Sequence, residues 1–260
     1  MMLASPVKEI DQEALDNIQG WLSESAKTFT QFIFQLQRQN GWVSGILELG
    51  VFKGKYLSLL AHQVADFDVP IVGVDAFLER YGVRLSDEHK LAAEKGILDS
   101  ILSVAGSIAN VTLIGAYTNE IGARELRKLC PAGFTFISVD AGHDAEDAEH
   151  DSAMADQLLN DHGVIAFDDV YNAACPGVAE GFIRYMVTGN RRLAPFATSG
   201  NKVFACRPAQ HATYFDFSKD IARNIRTLAP DLSRTLDQLN ANEQNGWTPN
   251  LCGYEIIPFL

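Results

Sequence analysis

Short apolar runs that alternate with amphipathic stretches constrain this chain more than any other feature. The runs are "GILELG" (45–50), "IVGVDAF" (71–77), "VTLIGA" (111–116), "FTFISVD" (134–140) and "GVIAFDD" (163–169). Between and after them lie stretches with helical spacing: "KYLSLLAHQVA" (55–65), the polar 78–108 with a cap at Ser86, "NEIGARELRKL" (119–129), "DAEHDSAMADQLLN" (147–160) and "GVAEGFIRYMV" (177–187). Apolar runs this short suit strands buried on both faces. Their alternation with helices predicts a mostly parallel sheet covered by helices on both sides. Residues 11–39 predict one or two further amphipathic helices, and "LAPFATSGNKVFACRP" (193–208) predicts a hairpin turning at Gly200–Asn201.

Composition narrows the function classes. The 260 residues carry a net charge of −12, and the pI is about 4.9. This argues against nucleic acid as an obligatory partner, because binding phosphates takes a basic face. No apolar run is long enough to span a membrane, and the acidic, polar start predicts no signal peptide. Cys130, Cys175, Cys206 and Cys252 stand apart without metal-type spacing, as expected of a reduced, cytoplasmic chain.

In an open parallel sheet, ligands bind beyond the carboxyl ends of the strands. Those ends hold Glu48 and Gly50, Asp75, Gly115, Asp140, and Asp168 with Asp169. Gly50 and Gly54 allow a ligand close to the backbone. Asp75, 21 residues after Gly54, suits a ribose diol. Together they predict a cofactor containing a nucleoside. The three-glycine pattern of nicotinamide sites is missing, and Glu48 would repel a pyrophosphate but could meet a cationic cofactor. A nicotinamide oxidoreductase and a non-catalytic binding protein of the same fold remain the alternatives.

"LELGVFKG", "IVGVDAF", "FISVDAGH" and "GVIAFDDVY", in that order, resemble the motifs of class I S-adenosylmethionine-dependent methyltransferases over roughly residues 40–207. The last two, with "DDVYNAACPG", are similar to the metal-dependent O-methyltransferases, which include catechol-type and macrolide sugar enzymes. The resemblance implies a Rossmann-like α/β fold and S-adenosyl-L-methionine held by Glu48, Gly50, Gly54, Asp75, Phe77, Thr118 and Asp140. It further implies Mg²⁺ or another divalent cation on Asp140, Asp168 and Asp169, with His143 as the base that deprotonates a small-molecule hydroxyl on a sugar, polyketide or phenol. Oxygen-only ligands suit a hard cation, and an imidazole can accept a proton near neutrality.

The other charges after Asp140 have a simpler reading. Asp144, Glu146 and Asp147 favour the start of a helix, and Glu149 and His150 its solvated face. Tyr56 is bulkier than the resemblance leads one to expect near the cofactor's methionine end, and "GAYTNE" (115–120) is a loose match that leaves Tyr117 or Thr118 beside the adenine. The predicted organisation is an N-terminal helical cap (1–40), a cofactor-binding domain (41–208) with a candidate lid at 78–99, including "YGVRL" (81–85), and a C-terminal extension (209–260) broken at Pro230. The terminal extensions are candidates for a homo-oligomer contact.

Overall fold

The computed structural model describes residues 7–77, 83–188 and 192–260. Part of the candidate lid, residues 78–82, therefore lies outside the described residues. The central sheet contains β1 (Gly45–Leu49), β2 (Ile71–Asp75), β3 (Val111–Gly115), β4 (Phe134–Val139), β5 (Leu159–Phe167), β6 (Ala194–Ser199), β7 (Lys202–Cys206) and β10 (Ile257–Phe259). Its order is β10-β6-β7-β5-β4-β1-β2-β3. Strands β1 to β5 pair in parallel, β7 runs antiparallel to both β5 and β6, and β10 joins β6 in parallel. This is the doubly wound α/β sheet that the alternation predicts.

Helices α2 (Glu24–Gln39), α3 (Lys55–Val64), α4 (Asp87–Ala105) and α8 (His211–Arg223) contribute to one apolar layer, and α5 (Ala123–Leu129), α6 (Ala145–Leu158) and α7 (Pro176–Thr188) to the other. Side chains alternate between them: on β1, Ile46 faces the first layer while Leu47 and Leu49 face the second, as the two-residue period of a strand requires. A short α1 (Gln12–Asp16) precedes α2. Helix α2 begins at Ser23, whose Oγ accepts the Ala26 N–H at 3.2 Å, and it ends before Gly41, which takes φ 68°.

The termini converge on the sheet. Phe29 of α2 stacks on Phe259 of β10 with ring centroids 4.2 Å apart, and meets Phe204 of β7 edge-on at 5.0 Å. After α8 come α9 (Ile225–Leu228), α10 (Arg234–Gln244) and the small hairpin of β8 (Asn250–Leu251) and β9 (Tyr254–Glu255). The C-terminal extension thus returns to complete the sheet edge. The predicted helix over 119–129 is shorter than expected. Thr118–Glu120 forms a single 3₁₀ turn, and Gly122 restarts the chain as α5, its N–H capped by Glu125. Among the described residues, no helix is long and apolar enough to cross a membrane.

Candidate active site

The carboxyl ends of the parallel strands open into one cleft of about 1100 Å³, lined by Glu48, Gly50, Asp75, Phe77, Thr118, Asp140, His143, Asp168 and Asp169 among others. That volume is large enough for a nucleoside-sized ligand together with a second small molecule. Gly54 is not on the wall. It caps α3 with φ 83°, and a Cβ there would stand 3.1 Å from Ile97 Cγ2, so its role is to let the helix approach its neighbour. At Gly50, a Cβ would lie 1.8 Å from the backbone oxygen of Asp140, so the turns after β1 and β4 touch through a bare Cα.

At the β1–β2 end, the carboxylate of Asp75 orders the glycine turn. One oxygen accepts the N–H groups of Val51 (2.9 Å) and Phe52 (2.8 Å), and the other accepts that of Phe77 (2.7 Å). Glu48 is 2% exposed, and its Oε2 has no hydrogen-bond partner. Burial, reinforced by Asp140, pushes its carboxyl well above the usual range. A buried, unsatisfied acid on a cleft wall is costly unless a ligand cation meets it. Such a carboxylate accepts hydrogen bonds and so fits a ligand's ammonium group. Phe77 is buried with φ 50°. Thr118 hydrogen-bonds Asp151, a residue buried in α6 for which the sequence offered no clear role. Asp144 is the N-cap of α6, with Glu146 and Asp147 in its first turn, as expected.

At the β4–β5 end, His143 Nε2 stands 3.3 Å from Asp169 Oδ2. Asp169 takes φ 58°, a conformation that side chains other than glycine rarely adopt and that concentrates at functional sites. Its other oxygen is held by Asn172 Nδ2 (2.9 Å) and Asn201 Nδ2 (3.3 Å). With Nε2 turned to this carboxylate, the tautomer that carries its hydrogen on Nε2 leaves the Nδ1 lone pair available. The Cys175 thiol also bonds Asp169, and its pKa is raised, by burial first and then by that acid.

The residue that composition and motifs did not point to is Lys202. It opens β7 directly after the Gly200–Asn201 turn, is 3% exposed, and places Nζ 2.6 Å from Asp168 Oδ2 and 4.6 Å from the centre of the Tyr56 ring. The bulk of Tyr56 is accommodated there: its ring lies under the ammonium and its hydroxyl hydrogen-bonds Thr30 at 2.8 Å. Asp140 and Asp168 lie side by side, placed so that the protonated Asp140 carboxyl donates to the Asp168 carboxylate. Burial pushes Asp140 well above the usual carboxylate range. Lys202 opposes this and the neighbouring Asp168 and Asp169 add to it. Burial also acts on Asp168, but there the Lys202 charge and hydrogen bond prevail and the carboxyl sits below its ordinary value.

The three acids expected to share a cation are therefore divided. Asp140 and Asp168 belong with Lys202, while Asp169 belongs with His143. The His, Cys, Asp or Glu trio whose ligand atoms all lie within 4.8 Å of one another, among the described residues, is His143, Asp169 and Cys175. As arranged here, Asp140, Asp168 and Asp169 do not make a single divalent-ion site, which needs several oxygens about 2 Å from one point. A second unforeseen wall comes from the N-terminal segment: Gln19 to Ser23 line the cleft, and exposed Trp21 stacks on Phe52 at 5.7 Å.

Residues 47–170 match a family model described as a methyltransferase domain. Among solved structures, the O-methyltransferase TomG from Streptomyces achromogenes is 20% identical over 77% of this chain and 91% of that one, with a TM-score of 0.53. The chain has the class I methyltransferase fold. NovP, another O-methyltransferase, is similar at a TM-score of 0.55 and 13% identity, over 70% of this chain and 80% of NovP. An O-methyltransferase from Bacillus cereus, solved with SAH, gives 0.50 and 19%, over 74% and 84%. At these identities the structural likeness speaks for the fold. Comparison with curated protein sequences finds no match.

Proposed function

We propose that this protein is a methyltransferase that transfers the methyl group of S-adenosyl-L-methionine to a hydroxyl of a small molecule. One observation carries the reading: a buried acid whose Oε2 has no hydrogen-bond partner, beside a bare glycine turn (Glu48, Gly50), and a histidine–aspartate pair (His143, Asp169) face the same cleft. The first suits a cationic amino-acid cofactor and the second suits proton removal. TomG is described in complex with SAM, and the Bacillus cereus enzyme with SAH. When bound, S-adenosyl-L-methionine supplies a methyl group on a sulfonium, so a single displacement suffices and alignment dominates.

The chain's residues then have separate tasks. Glu48 meets the cofactor's ammonium. Asp75 holds the glycine turn, with accepting capacity left for a ribose hydroxyl. His143 Nδ1 takes the acceptor's hydroxyl proton as the oxygen–carbon bond forms and the carbon–sulfur bond breaks. Asp169 orients the imidazole, the role of the third member in a nucleophile–base–acid set. Trp21, Phe52 and Tyr117 give the outer cleft an aromatic wall suited to the apolar skeleton of a polyketide, a phenol or a sugar-bearing natural product. The Mg²⁺ implied by the resemblance does not fit the divided acids.

Calorimetry with S-adenosyl-L-methionine and S-adenosylhomocysteine, followed by transfer of labelled methyl to a panel of hydroxylated compounds, tests the reading. Binding of both and transfer to oxygen are expected. Absence of heat with either ligand, alongside binding of a nicotinamide dinucleotide, would overturn it.

A further inference from the structure

The acid pair at the ends of β4 and β5 faces a cation that belongs to the chain. Lys202 Nζ lies 2.6 Å from Asp168 Oδ2, and the other Asp168 oxygen accepts the Asp169 N–H at 2.9 Å, so both oxygens of that carboxylate are engaged. The ammonium is confined: its side chain is 4% exposed, and it rests over the Tyr56 ring, which Thr30 holds in place. A divalent ion bound to Asp168 Oδ2 at about 2.1 Å would stand no more than about 5 Å from a fixed ammonium in a poorly solvated wall, where like charges repel strongly.

The position of Lys202 follows from topology. An antiparallel strand begins at the edge where its parallel neighbours end. β7 is antiparallel to β5 and starts directly after a two-residue turn, so its first side chain is delivered to the acid row. The same turn supplies Asn201 to Asp169. One hairpin thereby holds both acids and keeps them apart.

We propose that Lys202 is the resident cation of this site, standing where the sequence resemblance implies a divalent metal, so that methyl transfer here needs no metal. The proposal rests on the methyltransferase reading above. Lys202 acts as a positioning residue: it balances Asp140 and Asp168 and leaves Asp169 free to serve His143.

Manganese uptake followed by electron paramagnetic resonance tests this without requiring turnover. The wild-type protein should leave the signal of aqueous Mn²⁺ unchanged, and its methyl transfer should be the same in EDTA as in Mg²⁺. Lys202→Met removes the ammonium that faces Asp140 and Asp168. It should take up Mn²⁺ at least tenfold more tightly than the wild type and should show transfer stimulated by Mg²⁺. Lys202→Arg should keep the wild-type indifference to metal. One Mn²⁺ bound per wild-type chain and lost in Asp168→Asn would overturn the proposal, as would a folded Lys202→Met that still ignores the ion. If Lys202→Met does not fold, the wild-type Mn²⁺ measurement decides alone. Failure of the wild type to bind S-adenosyl-L-methionine would instead count against the methyltransferase reading, and the manganese result would stand apart from it.

Discussion

Replacing Gly50 by alanine adds one methyl group at the point where the two halves of the site touch. The added Cβ would lie 1.8 Å from the Asp140 carbonyl oxygen and 2.8 Å from the Ala141 Cα. Both obstacles are backbone, so no rotamer change relieves them. The turns are also tied to the sheet: the Gly50 N–H bonds the Val74 oxygen, and the Asp140 N–H bonds the Leu49 oxygen, each at 2.8 Å. Relief therefore means moving one turn by more than 1 Å, roughly the gap between that overlap and normal contact. Alanine at φ 83° costs about 1–2 kcal/mol, and the overpacking adds about 1–3 kcal/mol. For a chain of this size the sum lowers Tm by on the order of 10 °C. Gly246 is the control, with φ 61° and nothing within 4 Å of an added Cβ, so Gly246→Ala should show only the conformational part, about 1 kcal/mol. Thermal denaturation followed by circular dichroism, with calorimetry for cofactor affinity, measures both. Equal melting temperatures for the two variants, with wild-type affinity in Gly50→Ala, would refute the reasoning.

Three further outcomes are expected. His143→Ala should lower kcat by roughly 10²–10⁴-fold with little change in cofactor affinity, whereas His150→Ala, on the α6 surface, should be nearly silent; steady-state kinetics under chemistry-limited conditions decide this. Because burial raises Glu48 above its ordinary value of 4.5, the free protein holds a proton there that a cationic ligand displaces. Between 4.5 and the raised value, affinity for S-adenosyl-L-methionine should therefore rise with pH, and calorimetry in buffers of different protonation enthalpy should report proton release that Glu48→Gln abolishes. Phe29→Ala should cost about 3–5 kcal/mol in denaturant unfolding, because this ring joins α2 to β7 and β10. A loss below 1 kcal/mol would mean that the terminal elements are not part of one cooperative core.

The sequence by itself determined the alternation, and with it the sheet, the layers and the edge at which chemistry could occur. Strand period and helix period are local properties, and a parallel sheet places every strand's carboxyl end on one side whatever the details. Glu48, Gly50, Asp75, Asp140, His143, Asp168 and Asp169 could be placed in one row for that reason. The hairpin was equally local: a glycine and an asparagine between two apolar runs.

Which acid faces which partner was decided only by the tertiary structure. Lys202 stands 34 positions after Asp168 in the chain, and no spacing rule joins them. They meet because β7 enters the sheet beside β5 with opposite direction, so that its beginning coincides with β5's end. Asp168 and Asp169 are adjacent in sequence, yet the positive φ at Asp169 turns it toward His143 while Asp168 keeps to Lys202. Trp21 reaches the cleft because α2 packs against β7 and β10, and Gly54 serves packing because Ile97 of α4 lies against it. Residue type and strand-end position are written in the sequence. Charge pairing depends on distances of a few ångströms between distant segments, and these exist only once the sheet order is fixed.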